Sequence, residues 1–174
     1  ELVGLSSALL VAFFQERQAE WKTLHRAVLG DLALEDARAA IAASRFHPIG
    51  RRGLNPFVRA ADFSSLAVSK LLERSNHEVA LVLQIESTEG IAAIDAIVEL
   101  PGIDALFIGP YDLSQSLGYP GETAHPHVYA AGERIIRRAS EKGIAVGCFT
   151  NTPEQARRWL AIGARYLCYS VDTV

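Results

Sequence analysis

Apolar positions along this chain follow two alternating rhythms. Short runs, such as Val79-Ala-Leu-Val-Leu-Gln-Ile and Ala105-Leu-Phe-Ile-Gly-Pro-Tyr, are rich in branched aliphatics and unbroken by charge. Parallel strands buried on both faces read this way. Between them, residues 87–101 carry Ile91, Ile94, Ile97, Val98 and Leu100, a stripe at helical spacing. The unit is strand, helix, strand, with Glu86 beyond the first strand and Asp112 beyond the second. In parallel α/β folds ligands bind at that rim. Two carboxylates converging there repel each other, and a divalent cation relieves the repulsion.

The alternation runs through most of the chain. Residues 33–44 are Ala-rich, with Leu34, Ala37 and Ile41 on one face, and predict a helix. Gly, Pro and Arg dominate residues 46–57, an ordered loop, and residues 60–74 predict a second helix. Residues 112–123, with two glycines and Pro120, read as a loop. His125-Pro126 opens a long helix that Gly143 stops. Residues 144–149 predict a third strand, Thr152-Pro153 caps a helix ending near Gly163, and residues 166–171 predict a fourth strand followed by Asp172.

Such an order makes a parallel sheet covered by helices. A closed eight-stranded barrel takes about 250 residues, whereas the 174 residues here show four clear strands. The expectation is an α/β fold of (β/α)8 barrel type, incomplete and corresponding to a C-terminal half. Residues 31–174 form the partial barrel domain, and residues 1–30 remain an unassigned N-terminal segment with room for one strand and one helix at most.

Composition adds exclusions. Apolar residues make up 49% and charged residues 21%, the balance of an ordinary globular domain. A net charge of −3 gives no electrostatic case for nucleic acid or an anionic membrane. Cys148 and Cys168 fall inside predicted strands and read as small core residues, so a reducing cytoplasm is the expected compartment. The apolar stretch at residues 2–14 holds Gly4, Ser6 and Ser7, and is too short to span a bilayer. Its acidic start, Glu1, also argues against a signal peptide. The missing initiator Met suggests a trimmed or fragmentary chain.

Several motifs together resemble the pyruvate-dependent HpcH/HpaI-type aldolase family. They are Gln84-Ile85-Glu86, the run Gly102-Ile-Asp-Ala-Leu-Phe-Ile-Gly-Pro-Tyr-Asp-Leu-Ser-Gln-Ser-Leu-Gly118, and His125-Pro126 with Val128. Arg52-Gly53, Arg59-Ala60 and the closing Ser170-Val171-Asp172-Thr173 fit the same pattern. The resemblance implies a metal-dependent lyase that cleaves 4-hydroxy-2-oxo acids to pyruvate and an aldehyde. It implies Glu86 and Asp112 as ligands of Mg²⁺, Mn²⁺ or Co²⁺. Gln84 would stand beside the ion, the Tyr111 and Asp112 amides would hold the pyruvate carboxylate, and Phe107 and Phe149 would line the pocket. Gly109 and Pro110 belong to the same substrate-binding loop, the glycine permitting close backbone approach.

The resemblance stops short of a catalytic base. The family's Asp-Gly-Glu-His-like motif and its substrate-binding arginine, both on early strands, have no match here. His25 lies in a helical context without that motif, so no base is assigned. His125 and His127 read as helix-start residues rather than metal ligands. Arg51, Arg52 and Arg59 read as loop-fixing or subunit-contact groups, with a substrate carboxylate as the alternative. Trp21 and Trp159 read as packing residues.

Two further readings stay open: an acyl-CoA lyase of the citrate-lyase-β or malyl-CoA type, and a non-catalytic truncated homologue. Open sheet edges predict association, either as a homo-oligomer or with a complementary half.

Overall fold

In a computed structural model of the chain, residues 34–55 and 67–170 are described. The expectations for Trp21, His25, Arg59, Asp172, residues 1–30 and the first part of the predicted helix at 60–74 lie outside them. The elements are α1 (Leu34–Ser44), α2 (Val68–Glu78), β1 (Val82–Ile85), α3 (Thr88–Ile97), β2 (Ala105–Ile108), α4 (Pro110–Ser116), α5 (Pro126–Ser140), β3 (Ala145–Thr150), α6 (Pro153–Ala161) and β4 (Tyr166–Tyr169).

All strand pairs are parallel, and the sheet order is β1-β2-β3-β4. Each strand lies beside its sequence neighbour with no reversal, which is the progression of a barrel wall. A doubly wound sheet would switch direction. The two faces of this wall differ. Leu83, Ile85, Leu106, Ile108, Val146 and Cys148 are buried on the helix side. There they meet Ile94 and Ile97 of α3, and Val128, Ile135 and Ile136 of α5. On the other face Val82, Gln84, Ala105, Phe107, Ala145, Phe149, Tyr166 and Cys168 are only half-buried. The expectation of burial on both faces therefore holds, among the described residues, for the helix side alone.

Local chemistry explains the element starts. The Ser87 hydroxyl accepts from Gly90 N at 3.0 Å and caps α3, while the Thr152 hydroxyl accepts from Gln155 N at 3.2 Å and caps α6. The His125 ring accepts from His127 N at 3.2 Å and caps α5, with Pro126 in the first turn. Residues 112–123 are not all loop. Pro110 sits in the first turn of α4, so the apolar reading of Gly109-Pro-Tyr belongs to a helix start rather than to a strand end.

Two aromatic placements fix the layers. Trp159 of α6 is buried over Gly132 of α5, where a Cβ would approach its ring to 2.3 Å. On the opposite face Tyr166 folds over its cross-strand partner Gly147 and donates a hydrogen bond to Leu106 O at 2.7 Å. Burial holds its phenol well above the ordinary tyrosine pKa, so the group stays a donor. Tyr166→Phe should cost about 1 kcal/mol, read as a lowered urea midpoint at an unchanged slope.

At the N-terminal ends of the strands, the Arg45 guanidinium is buried and donates to Val79 O, to Gly102 O at 3.4 Å and to Asp104 Oδ2 at 2.9 Å. Asp104 Oδ2 also accepts from Leu81 N at 2.6 Å. One side chain thereby joins the end of α1 to the starts of β1 and β2. Arg52 donates to Ser75 Oγ at 3.1 Å and lies 4.8 Å from the Phe46 ring centre, which is the loop-fixing role expected for it. No described helix is long and apolar enough to cross a membrane.

Candidate functional site

The two acids sit at the same end of the sheet but in different settings. Glu86 follows β1 directly and is buried, at 5% exposure. Its Oε2 accepts a hydrogen bond from the Gln84 carboxamide, two residues back on the same strand. Asp112 lies four positions beyond the end of β2, in the first turn of α4, and is exposed. The turn after Glu86 and the helix that carries Asp112 are tied together, because Thr88 N donates to Ser116 Oγ at 2.9 Å.

Gly109 is the hinge of this arrangement. A Cβ placed on it would stand 2.5 Å from Glu86 Oε2 and 2.8 Å from Gln84 Nε2. Only a residue without a side chain lets the β2–α4 turn close over the carboxylate. The first helical bond of α4, Leu113 N to Gly109 O at 2.9 Å, starts immediately after the turn. The Tyr111 and Asp112 amides fall in the first turn, where a helix has no acceptor of its own for them.

Gln84, Phe107, Gly109, Pro110, Tyr111, Asp112 and Phe149 line a single cavity of about 220 Å³. Its volume suits a small organic acid, since drug-sized pockets run to roughly 300–1,000 Å³. Phe149 meets Tyr111 at 6.3 Å between ring centres, and Phe107 rests against Tyr166 at 6.0 Å. Two apolar walls thus face a rim of amides and one carboxylate. Glu86 does not line the cavity; it lies behind Gly109 and Gln84. Among the described residues no cluster of three or more His, Cys, Asp or Glu occurs, and the carboxylates at this end of β1 and β2 are Glu86 and Asp112. Their all-oxygen chemistry suits a hard divalent ion that keeps several waters or substrate oxygens in its shell.

A larger hollow of about 500 Å³ lies between the α1 exit and α2, lined by residues that include His47, Leu72 and His77. None of the expected site residues borders it, so size alone is a poor guide here. His125 and His127 pack with Tyr119, 3.6 Å and 5.2 Å from it between ring centres, and do not line the smaller cavity. Cys148 is fully buried and its thiol is pushed up to about 12 by desolvation, which makes it inert core.

Asn151 was not singled out by the sequence. Its carboxamide donates to the Tyr111 hydroxyl at 2.5 Å, although the two residues stand 40 positions apart. Asn151 N donates to Gln155 Oε1 at 3.1 Å, and Gln155 Nε2 donates to Thr123 Oγ1 at 3.1 Å. A signal existed: Asn151 is a polar residue just past β3, the relation that Glu86 bears to β1.

Comparison with known proteins agrees with the barrel-wall fold. The family model described as HpcH/HpaI aldolase/citrate lyase matches residues 33–174. A 2-keto-3-deoxy-L-rhamnonate aldolase of Klebsiella pneumoniae is 42% identical over 141 residues, 80% of this chain and 52% of its own length. The crystal structure of an HpcH/HpaI aldolase/citrate lyase family protein from Burkholderia cenocepacia superposes with a TM-score of 0.75 at 36% identity, covering 81% of this chain and 56% of that one. An HpcH/HpaI aldolase from Desulfitobacterium hafniense gives 0.72 at 32% identity, over 81% and 54%. The chain spans about half the length of the curated relatives it matches.

Proposed function

Because this chain belongs to the HpcH/HpaI aldolase/citrate lyase family, we propose that its protein is a metal-dependent lyase acting on 4-hydroxy-2-oxo acids, with pyruvate as one product and an aldehyde as the other. What carries the reading is the meeting of seven residues around one small cavity, with a buried carboxylate behind its glycine wall. Glu86 and Asp112 would hold a divalent cation. Such an ion, when bound, supplies Lewis-acid stabilisation of the enolate charge left on pyruvate by carbon–carbon cleavage.

The chain's own residues do the rest. The Gln84 amide holds Glu86 Oε2 and fixes the carboxylate's orientation. The Tyr111 and Asp112 N–H groups, in the first turn of α4, would receive the carboxylate of a 2-oxo acid. Phe107 and Phe149 cover the methyl end of pyruvate and keep water from the nascent carbanion. No base is assigned to this chain, and the proton on the 4-hydroxyl is removed by a group outside the described residues or by solvent.

The experiment is direct. Purified protein supplied with Mn²⁺ or Mg²⁺ should release pyruvate from a 4-hydroxy-2-oxo acid, coupled to NADH oxidation by lactate dehydrogenase. EDTA should stop the release and added Mn²⁺ should restore it. Turnover that survives exhaustive chelation would refute the metal-dependent reading.

A further inference from the structure

The Asn151 carboxamide and the Tyr111 hydroxyl make a donor–acceptor pair at the edge of the cavity. Asn151 Nδ2 donates to Tyr111 Oη at 2.5 Å, so the phenolic oxygen is the acceptor and its own proton remains to be given away. Asn151 Oδ1 remains able to accept. Both residues are exposed, and Tyr111 lines the cavity. The pair is also held still. Gln155 spends both ends of its carboxamide on this rim, accepting from Asn151 N and donating to Thr123 Oγ1, while its own amide donates to the Thr152 cap. Tyr111 is fixed from the other side, where its carbonyl accepts from the buried Ser114 hydroxyl at 2.6 Å and its ring meets Phe149.

An alcohol both donates and accepts, so it satisfies such a pair with one atom. A carboxylate could accept from the phenol and from the second Asn151 N–H but offers no proton to Asn151 Oδ1, and an alkyl chain would make neither bond. We propose that Asn151 is a specificity-determining residue of this site: with the Tyr111 hydroxyl it selects, among aldehydes that meet the pyruvate partner, those bearing a hydroxyl group near the carbonyl. The inference rests on the lyase reading above and adds to it the residue that sorts the aldehyde. Pyruvate is bound at the amide end of the cavity, and the aldehyde approaches from the Asn151 side.

The test compares two aldehydes differing by one oxygen, glycolaldehyde and acetaldehyde, as partners of pyruvate in the condensation direction with Mn²⁺. The unaltered protein should favour glycolaldehyde in kcat/KM by about tenfold. Asn151→Ala should bring the ratio near one, chiefly through the glycolaldehyde KM. Tyr111→Phe, which keeps the ring, should do the same, and the double variant should lose no more than either single one. Equal use of the two aldehydes by the unaltered protein, or a preference that survives Asn151→Ala and Tyr111→Phe, overturns the proposal. Exchange of the pyruvate methyl protons into D₂O with Mn²⁺, measured by NMR without any aldehyde, separates the two layers. Its absence removes the lyase reading and this inference together, whereas exchange without aldehyde preference removes only the inference.

Discussion

Glu86→Gln should lower kcat/KM for aldol cleavage by about a thousandfold while leaving the folded protein as stable as before, or more so. The two effects separate because this carboxylate is buried at 5% exposure and one of its partners, on β1, is a neutral amide, Gln84. Burial of a charge costs free energy that a neutral isostere does not pay. Stability should therefore rise by up to about 1 kcal/mol in urea melts, and affinity for Mn²⁺, read by electron paramagnetic resonance titration, should collapse. Gly109→Ala should reach a comparable loss by another route. It keeps the charge, but its methyl would lie 2.5 Å from Glu86 Oε2, so the carboxylate must move. A displacement near 1 Å is enough to cost about a hundredfold. Full activity in Glu86→Gln would remove Glu86 from the site altogether.

The largest expected loss of stability lies at the other end of the strands. Arg45→Ala should destabilise the protein by about 3 kcal/mol. The substitution strips Val79 O and Gly102 O of a donor and leaves Asp104 without its cation, although that carboxylate keeps Leu81 N. Asp104 is half-exposed, so water recovers part of its share, and the packing of the buried Arg45 side chain adds to the cost. Lysine should recover less than half of the loss, because an ammonium cannot fork across three acceptors. Equilibrium unfolding in urea measures both variants, and equal midpoints for Arg45→Ala and the unaltered protein would show the clamp to be idle.

The contrast between these two ends explains what the sequence could reveal. Glu86 announces itself locally: an acid after an aliphatic run is visible without knowing any partner. The same holds for α3, α5 and α6, whose apolar spacing and caps are written within a few residues. Arg45 carries no such mark, since its acceptors come from 34 to 59 positions away. Asn151 meets Tyr111 only once β2 and β3 pair. Residues 112–123 look like a loop in the sequence for a related reason. Pro110-Tyr-Asp-Leu-Ser is too short for a period to emerge, and its helix is held by Ser114 and Ser116, whose partners lie in other segments.

Tyr166 and Gly147 have a consequence for how this protein can change over generations. A methyl group at 147 would stand 2.2 Å from the Tyr166 ring, so 147 cannot grow while 166 keeps its ring. Enlarging 147 demands a smaller residue at 166, and that swap would release Leu106 O and withdraw the support behind Phe107. Covariation between these columns in a set of homologues would reveal the constraint.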